Sequence, residues 1–98
     1  MITQDYLIKS ELRAGTLLFR AINHDFRLDL LDVIHDHGEL HVNDIADKVE
    51  KEQSLVSQHL TILRRAGLLV LDIRGRHHFY SINEGRIDLI KEFLKQAS

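Results

Sequence analysis

Between Glu50 and Asn83 the chain reads EKEQSLVSQHLTILRRAGLLVLDIRGRHHFYSIN, and this stretch restricts the fold more than any other. Polar residues open it. An amphipathic segment from Gln53 to Ala66 follows, with Leu55, Val56, Leu60, Leu63 and, less strictly, Ile62 on the side expected to be buried. Arg64 and Arg65 come at its end, where a helix attracts cations, and Gly67 supplies a left-handed stop. Leu69, Leu71 and Ile73 then alternate with Val70, Asp72 and Arg74. His78, Tyr80 and Ile82 alternate on the return, beyond a short turn that contains Gly75. Glu50-Lys51-Glu52 forms a turn before the helix. Helix, helix end and β-ribbon in that order predict a winged helix-turn-helix, mostly α with a small β-hairpin (α+β).

The remaining segments fit the same architecture. A first helix is predicted over about Asp5 to Ile22, with Gly15 as a break or a close contact. A second runs from Phe26 to His35, capped by Asp25 or Asn23, with Leu28, Leu31 and Ile34 as its apolar face, Leu30 and Val33 nearby, and Gly38 as its end. Glu39-Leu40-His41-Val42 is short and extended. Asn43 is expected to cap a brief helix through Val49, with Ile45, Ala46 and Val49 facing inward. The last helix, Glu84 to Ala97, carries Ile87, Ile90 and Leu94 on one stripe, with Leu89 and Phe93 beside it. So apolar a terminal helix on so small a domain is expected to cover its stripe with a second copy. The first helix is its companion there. The predicted dimer interface is Tyr6, Leu7, Ile87, Ile90, Phe93 and Leu94.

With 98 residues, 44% hydrophobic and 29% charged, residues 1–98 are expected to form a single domain with terminal dimerisation helices. The chain has no cysteine, which excludes disulfides, thiolate metal sites and thiol redox sensing. No apolar run approaches a membrane span and no signal-peptide pattern opens the chain, so a cytoplasmic protein is expected. The net charge of −2 is unevenly spread. Residues 1–52 carry six Lys and Arg against eleven Asp and Glu, whereas residues 53–86 carry five Arg against Asp72 and Glu84. The basic part coincides with the predicted recognition helix and wing, and phosphate binding needs a local positive surface only.

The predicted DNA-contacting set follows from that placement. Gln53, Ser54, Ser57, Gln58 and Thr61 lie on the polar face of the recognition helix, with Arg64 further along it. Gln58 is suited to bidentate contact with an adenine edge, and Ser54 and Ser57 to phosphate. His59 could face DNA or pack on the preceding helix; its position next to buried Leu60 favours packing. Arg74, Arg76 and His77 surround the wing turn, and guanidinium groups suit a narrow groove or bidentate phosphate contact. The bland alternatives are a solvated polar helix face and an exposed charged hairpin.

The chain also resembles the ArsR/SmtB family of bacterial winged-helix repressors. The resemblance covers nearly the whole chain. Its residues are Asn23-His24-Asp25-Phe26-Arg27-Leu28, Glu39 to Ala46, Gln53 to Leu60 with Leu63-Arg64-Arg65-Ala66-Gly67-Leu68, and Gly75-Arg76 with Phe79-Tyr80-Ser81-Ile82. It implies a homodimer that represses from a palindromic double-stranded DNA operator until an effector, a small molecule or a protein, releases it. Arsenic-type members carry Cys-x-Cys where this chain has His41-Val42-Asn43, and zinc-type members place ligands on the last helix, which here has no histidine. The expected protein has no metal site and no cofactor.

Two rival readings stand at this stage. One is a zinc or nickel sensor built from His35, Asp36, His37, His41 and Asp32, whose spacing matches no closed ligand motif. The other is a winged-helix module for protein–protein contacts. Enzyme chemistry has no support. Ser57 and His59 are not placed to face each other on one helix, and there is no glycine-rich phosphate loop.

Overall fold

The computed structural model describes residues 4–97, with side chains over residues 13–96. Its elements are α1 (Gln4–Ile22), α2 (Asp25–His37), β1 (Glu39–His41), α3 (Val42–Val49), α4 (Gln53–Arg65), β2 (Leu69–Arg74), β3 (His77–Ile82) and α5 (Glu84–Ala97). α1 runs unbroken through Gly15. β1 joins the hairpin as a third strand, giving an antiparallel sheet of order β1-β3-β2. Leu40 pairs with Tyr80 and His41 with Phe79, and Leu71 pairs with Tyr80 on the other side.

The core is drawn from every layer. Leu30, Leu31 and Ile34 of α2, Ile45 and Ala46 of α3, and Val56, Leu60 and Leu63 of α4 close over Leu40, Leu68, Leu69 and Tyr80. No polar or charged described residue is buried with them. Two apolar expectations need correction. Leu28 is 44% exposed and Leu55 is 41% exposed. Each sits off its helix's buried stripe, which is Leu30, Leu31 and Ile34 in α2 and Val56, Leu60 and Leu63 in α4. Ile62 shares the outer flank of α4 with Leu55 and is 39% exposed.

The caps also differ from the reading of the sequence. His24 stands at the N-cap of α2 and makes no capping bond with its side chain, while Asp25 is the first helical residue. For α3 the cap is His41, whose Nδ1 accepts the Asn43 backbone N–H at 3.1 Å. Strand pairing of His41 with Phe79 holds it extended just before the helix, so the cap falls there and not on Asn43. Asn83 organises the far end of the sheet. Its Nδ2 donates to Gly67 O at 2.9 Å and its Oδ1 accepts the Arg86 N–H at 3.3 Å. Gly67 has φ +82°, a conformation that favours glycine, and a Cβ there would lie 3.0 Å from Arg86 Nε, so the arginine side chain would have to shift by a few tenths of an ångström.

Candidate nucleic-acid interface

α3 and α4 form the helix-turn-helix, with Glu50 in the left-handed region (φ 56°) at the C-cap of α3. Its N–H bonds back to Ala46 and Asp47 carbonyls, which offsets the cost of that conformation in a residue with a Cβ. The chain then turns through Lys51 and Glu52 into α4. Burial of Val56, Leu60 and Leu63 fixes the rotation of α4 and leaves Gln53, Ser54 and Gln58 exposed.

Facing α4 across an open groove of about 600 Å³ stands the β2–β3 wing. Gln53, Ser57, Thr61 and Arg64 line one wall, and Arg76 and His77 the other. The floor includes Tyr80, whose phenol is pushed up by burial against an opposing pull from Arg64. Thr61 Oγ1 donates to Ser57 O at 2.9 Å, so this hydroxyl hydrogen is spent within the helix and its lone pairs alone face the groove. Arg74 and His77 are paired, leaving Gly75-Arg76 as the turn. Gly75 takes φ +61° at the first central position, as a type II′ turn demands. Arg76, exposed at this tip, has no ion-pair partner among the described residues.

Arg74, assigned to the DNA side by its place in the sequence, is engaged elsewhere, and His59 takes the packing alternative that its place beside Leu60 favoured. The guanidinium of Arg74 pairs with Glu39 at 2.7 Å and with Asp72 at 2.9 Å, and lies 4.3 Å from the Phe79 ring centroid. Bonds to Glu39 first and Asp72 second hold it more firmly protonated than a free arginine. It fastens the wing to β1. His59 packs inward: its ring lies 5.0 Å from those of His24 and Phe26, and its Nδ1 accepts from Arg27 Nε at 3.1 Å. Arg27 also donates to Arg20 O at 2.8 Å, so one side chain of α2 ties α1 to the recognition helix. Nothing in the local pattern marks Arg27 for this role.

The seam at His59 is sensitive to pH. Burial, then the charge of Arg27, then His24 lower its pKa from the ordinary 6.5. The fold therefore favours neutral His59. Its contribution is complete above 6.5 and is lost as pH falls below 6.5, because the unfolded chain takes up the proton first. Thermal unfolding followed by circular dichroism should show a midpoint that drops on going from about pH 7 to about pH 5. The drop should be smaller in His59→Gln, which can accept the Arg27 bond without titrating.

The histidines weighed as a metal cluster are not brought together. His35 Nε2 lies 3.9 Å from Glu84, His37 Nδ1 bonds Val33 O at 2.8 Å, and His41 meets His77. Among the described residues no three His, Asp or Glu converge on a common point. Of the predicted interface residues, Tyr6 and Leu7 fall outside the described side chains. Ile87 and Ile90 pack partly against the protomer's own core. Phe93 and Leu94 are 60% and 47% exposed, beside Leu89 at 66%. They border an apolar groove of about 230 Å³ between α1 and α5.

Comparison with known proteins agrees with this geometry. Residues 25–69, from α2 through the recognition helix, match the family described as bacterial regulatory protein, arsR family. An HTH-type transcriptional regulator of Methanocaldococcus jannaschii is 33% identical over 78 residues, covering 80% of this chain and 84% of that protein. The transcriptional repressor PagR of Bacillus anthracis is 31% identical over 77 residues, covering 79% of this chain and 77% of PagR. The PagR crystal structure superimposes with a TM-score of 0.70 at 29% identity, over 88% of this chain and 98% of that one. NolR from Sinorhizobium fredii gives 0.74 at 25% identity, over 99% and 94%. No described helix is long and apolar enough to cross a membrane. On family and fold together, the chain belongs to the arsR family of bacterial regulatory proteins and is a winged-helix, DNA-binding transcription regulator, not an enzyme.

Proposed function

We propose that this regulator is a homodimeric repressor that binds a palindromic operator, with α4 in the major groove and the wing tip on the flanking backbone or minor groove. The observation that carries the proposal is the groove between α4 and the wing. Gln53, Ser57, Thr61 and Arg64 oppose Arg76 and His77 there, with Gln58 and Ser54 exposed on the same helix. Polar groups for base edges on one wall and an arginine without an ion-pair partner among the described residues on the other are the two components that sequence-specific binding needs. The second copy is proposed to cover Leu89, Phe93 and Leu94 together with Phe19 of α1, which is 52% exposed. In that arrangement the two recognition helices reach successive major grooves about 34 Å apart. The name of PagR as a repressor supports the direction of regulation. Control by metal is no part of the proposal, because His35, His37 and His41 have separate partners.

The test starts from genomic fragments selected by the purified protein. Affinity for a selected fragment and for random DNA is then measured by fluorescence anisotropy across a salt series. Arg76→Ala should weaken binding to both DNAs and flatten the log–log salt slope by about 2, one phosphate contact for each protomer. An unchanged slope would mean that the wing tip stays in solvent, and the wing part of the proposal would be withdrawn.

A further inference from the structure

His41 and His77 come from opposite ends of the interface, one from the strand leading into α3 and the other from the wing. Their hydrogen bonds determine each other's tautomer. The Asn43 backbone N–H is a donor with no alternative, so His41 Nδ1, 3.1 Å away, is the acceptor and carries no proton. In the neutral ring the proton then sits on Nε2. His41 Nε2 is 3.2 Å from His77 Nδ1, so His41 donates and His77 Nδ1 accepts. The proton of His77 is thereby left on Nε2. Packing holds both rings in this register: they are 5.1 Å apart, and Phe79 stands 5.4 Å from His41 and 6.4 Å from His77. Arg74, clasped by Glu39 and Asp72, covers Phe79 in turn.

From this chain of donors we infer that His41 is a positioning residue for DNA binding, fixing His77 as an Nε2–H donor to an acceptor on the operator backbone from the wing wall of the groove. The inference rests on the proposal that the α4–wing groove holds DNA, since both histidines line that groove. An unfixed neutral histidine divides between two tautomers, one of which would present a lone pair to the acceptor. Holding His77 in one tautomer removes that competing form before DNA arrives. The same contact links the wing to the cap of α3, so the helix-turn-helix and the wing share a polar joint.

Asparagine at position 41 separates the two duties of the residue. It is among the best N-caps, so His41→Asn keeps a bond to the Asn43 N–H. Its side chain is too short to donate to His77. In the full-length protein at about pH 8, where imidazole is ordinarily neutral, long-range 1H–15N spectra should show His77 in the Nε2–H form alone. In His41→Asn the His77 signals should move towards a mixture. On a selected genomic fragment, His41→Asn and His77→Ala should each weaken binding by about three- to tenfold. The double variant should bind no more weakly than His77→Ala, while thermal unfolding of His41→Asn stays near the parent. A tautomer mixture in the unmodified protein would overturn the inference. So would full affinity in His41→Asn beside a weakened His77→Ala, or a silent His77→Ala beside an Arg76→Ala that flattens the salt slope; in both cases the wing reading survives. If His77→Ala and Arg76→Ala are both silent, the wing reading itself fails and the inference falls with it.

Discussion

Replacing Phe93 with Asp is expected to turn a homodimer into a monomer and to weaken operator binding by more than about a hundredfold. Phe93 is 60% exposed in the protomer and sits with Leu89 and Leu94 on the outer side of α5, so the substitution should leave the fold of each protomer unchanged. In the proposed dimer the same position is covered, and an unpaired carboxylate there would be strongly disfavoured. The loss on DNA is large because each half-site anchors the other. Linked sites gain roughly 10²–10⁴ over a single site, and a monomer forfeits that gain. Ile90 is a poorer probe, since it packs partly against its own core and its loss would confuse folding with association. Sedimentation gives the assembly and circular dichroism the fold. If the unmodified protein sediments as a stable monomer, the dimer proposal fails, and the palindrome with it.

The second large effect lies within the protomer. Leu60→Ala should cost about 2–5 kcal/mol of stability, the usual range for emptying a fully buried leucine site. Leu60 is completely buried where α4 meets the rest of the core. For a domain whose whole stability is about 5–15 kcal/mol, this leaves a marginal fold. Leu55→Ala on the same helix should change stability by about 0.5 kcal/mol or less, because Leu55 lies on the outer flank. Denaturant unfolding of the two variants, at one protein concentration, compares identical side-chain changes at different rotations about one axis. Equal losses would mean that α4 is rotated from the orientation described, and the DNA-facing residues would have to be reassigned.

That rotation was readable from residue order where a signal was local. The Val56, Leu60 and Leu63 stripe, the Gly67 stop and the alternation of β2 and β3 placed the recognition helix and wing from neighbours alone. Gln53, Ser54, Gln58 and Arg76 were placed correctly on exposed surface for the same reason. Distant partners left no local trace. Arg74 meets Glu39 from 35 residues away, and Arg27 meets His59 from 32 away. The sequence marks all four only as charged or titratable. β1 looks like a short extended link until β3 is placed beside it. The cap of α3 was misread because asparagine is a common cap, whereas strand pairing places His41 there. Leu28 and Leu55 show the limit of periodicity: an apolar residue at the margin of a stripe is buried only if another element lies over it, and no local pattern says which margin that is.

The most direct test of the central claim is the affinity of Gln58→Ala for a selected genomic fragment and for random DNA, each across a salt series. Gln58 is exposed in the first turns of α4, so its removal should not disturb the fold. If α4 reads base edges through its amide, the variant should lose about 1–3 kcal/mol on the selected fragment at each contact, with almost no change on random DNA and the same salt slope. Equal losses on both DNAs would contradict base reading by α4 and reduce the helix to a backbone contact.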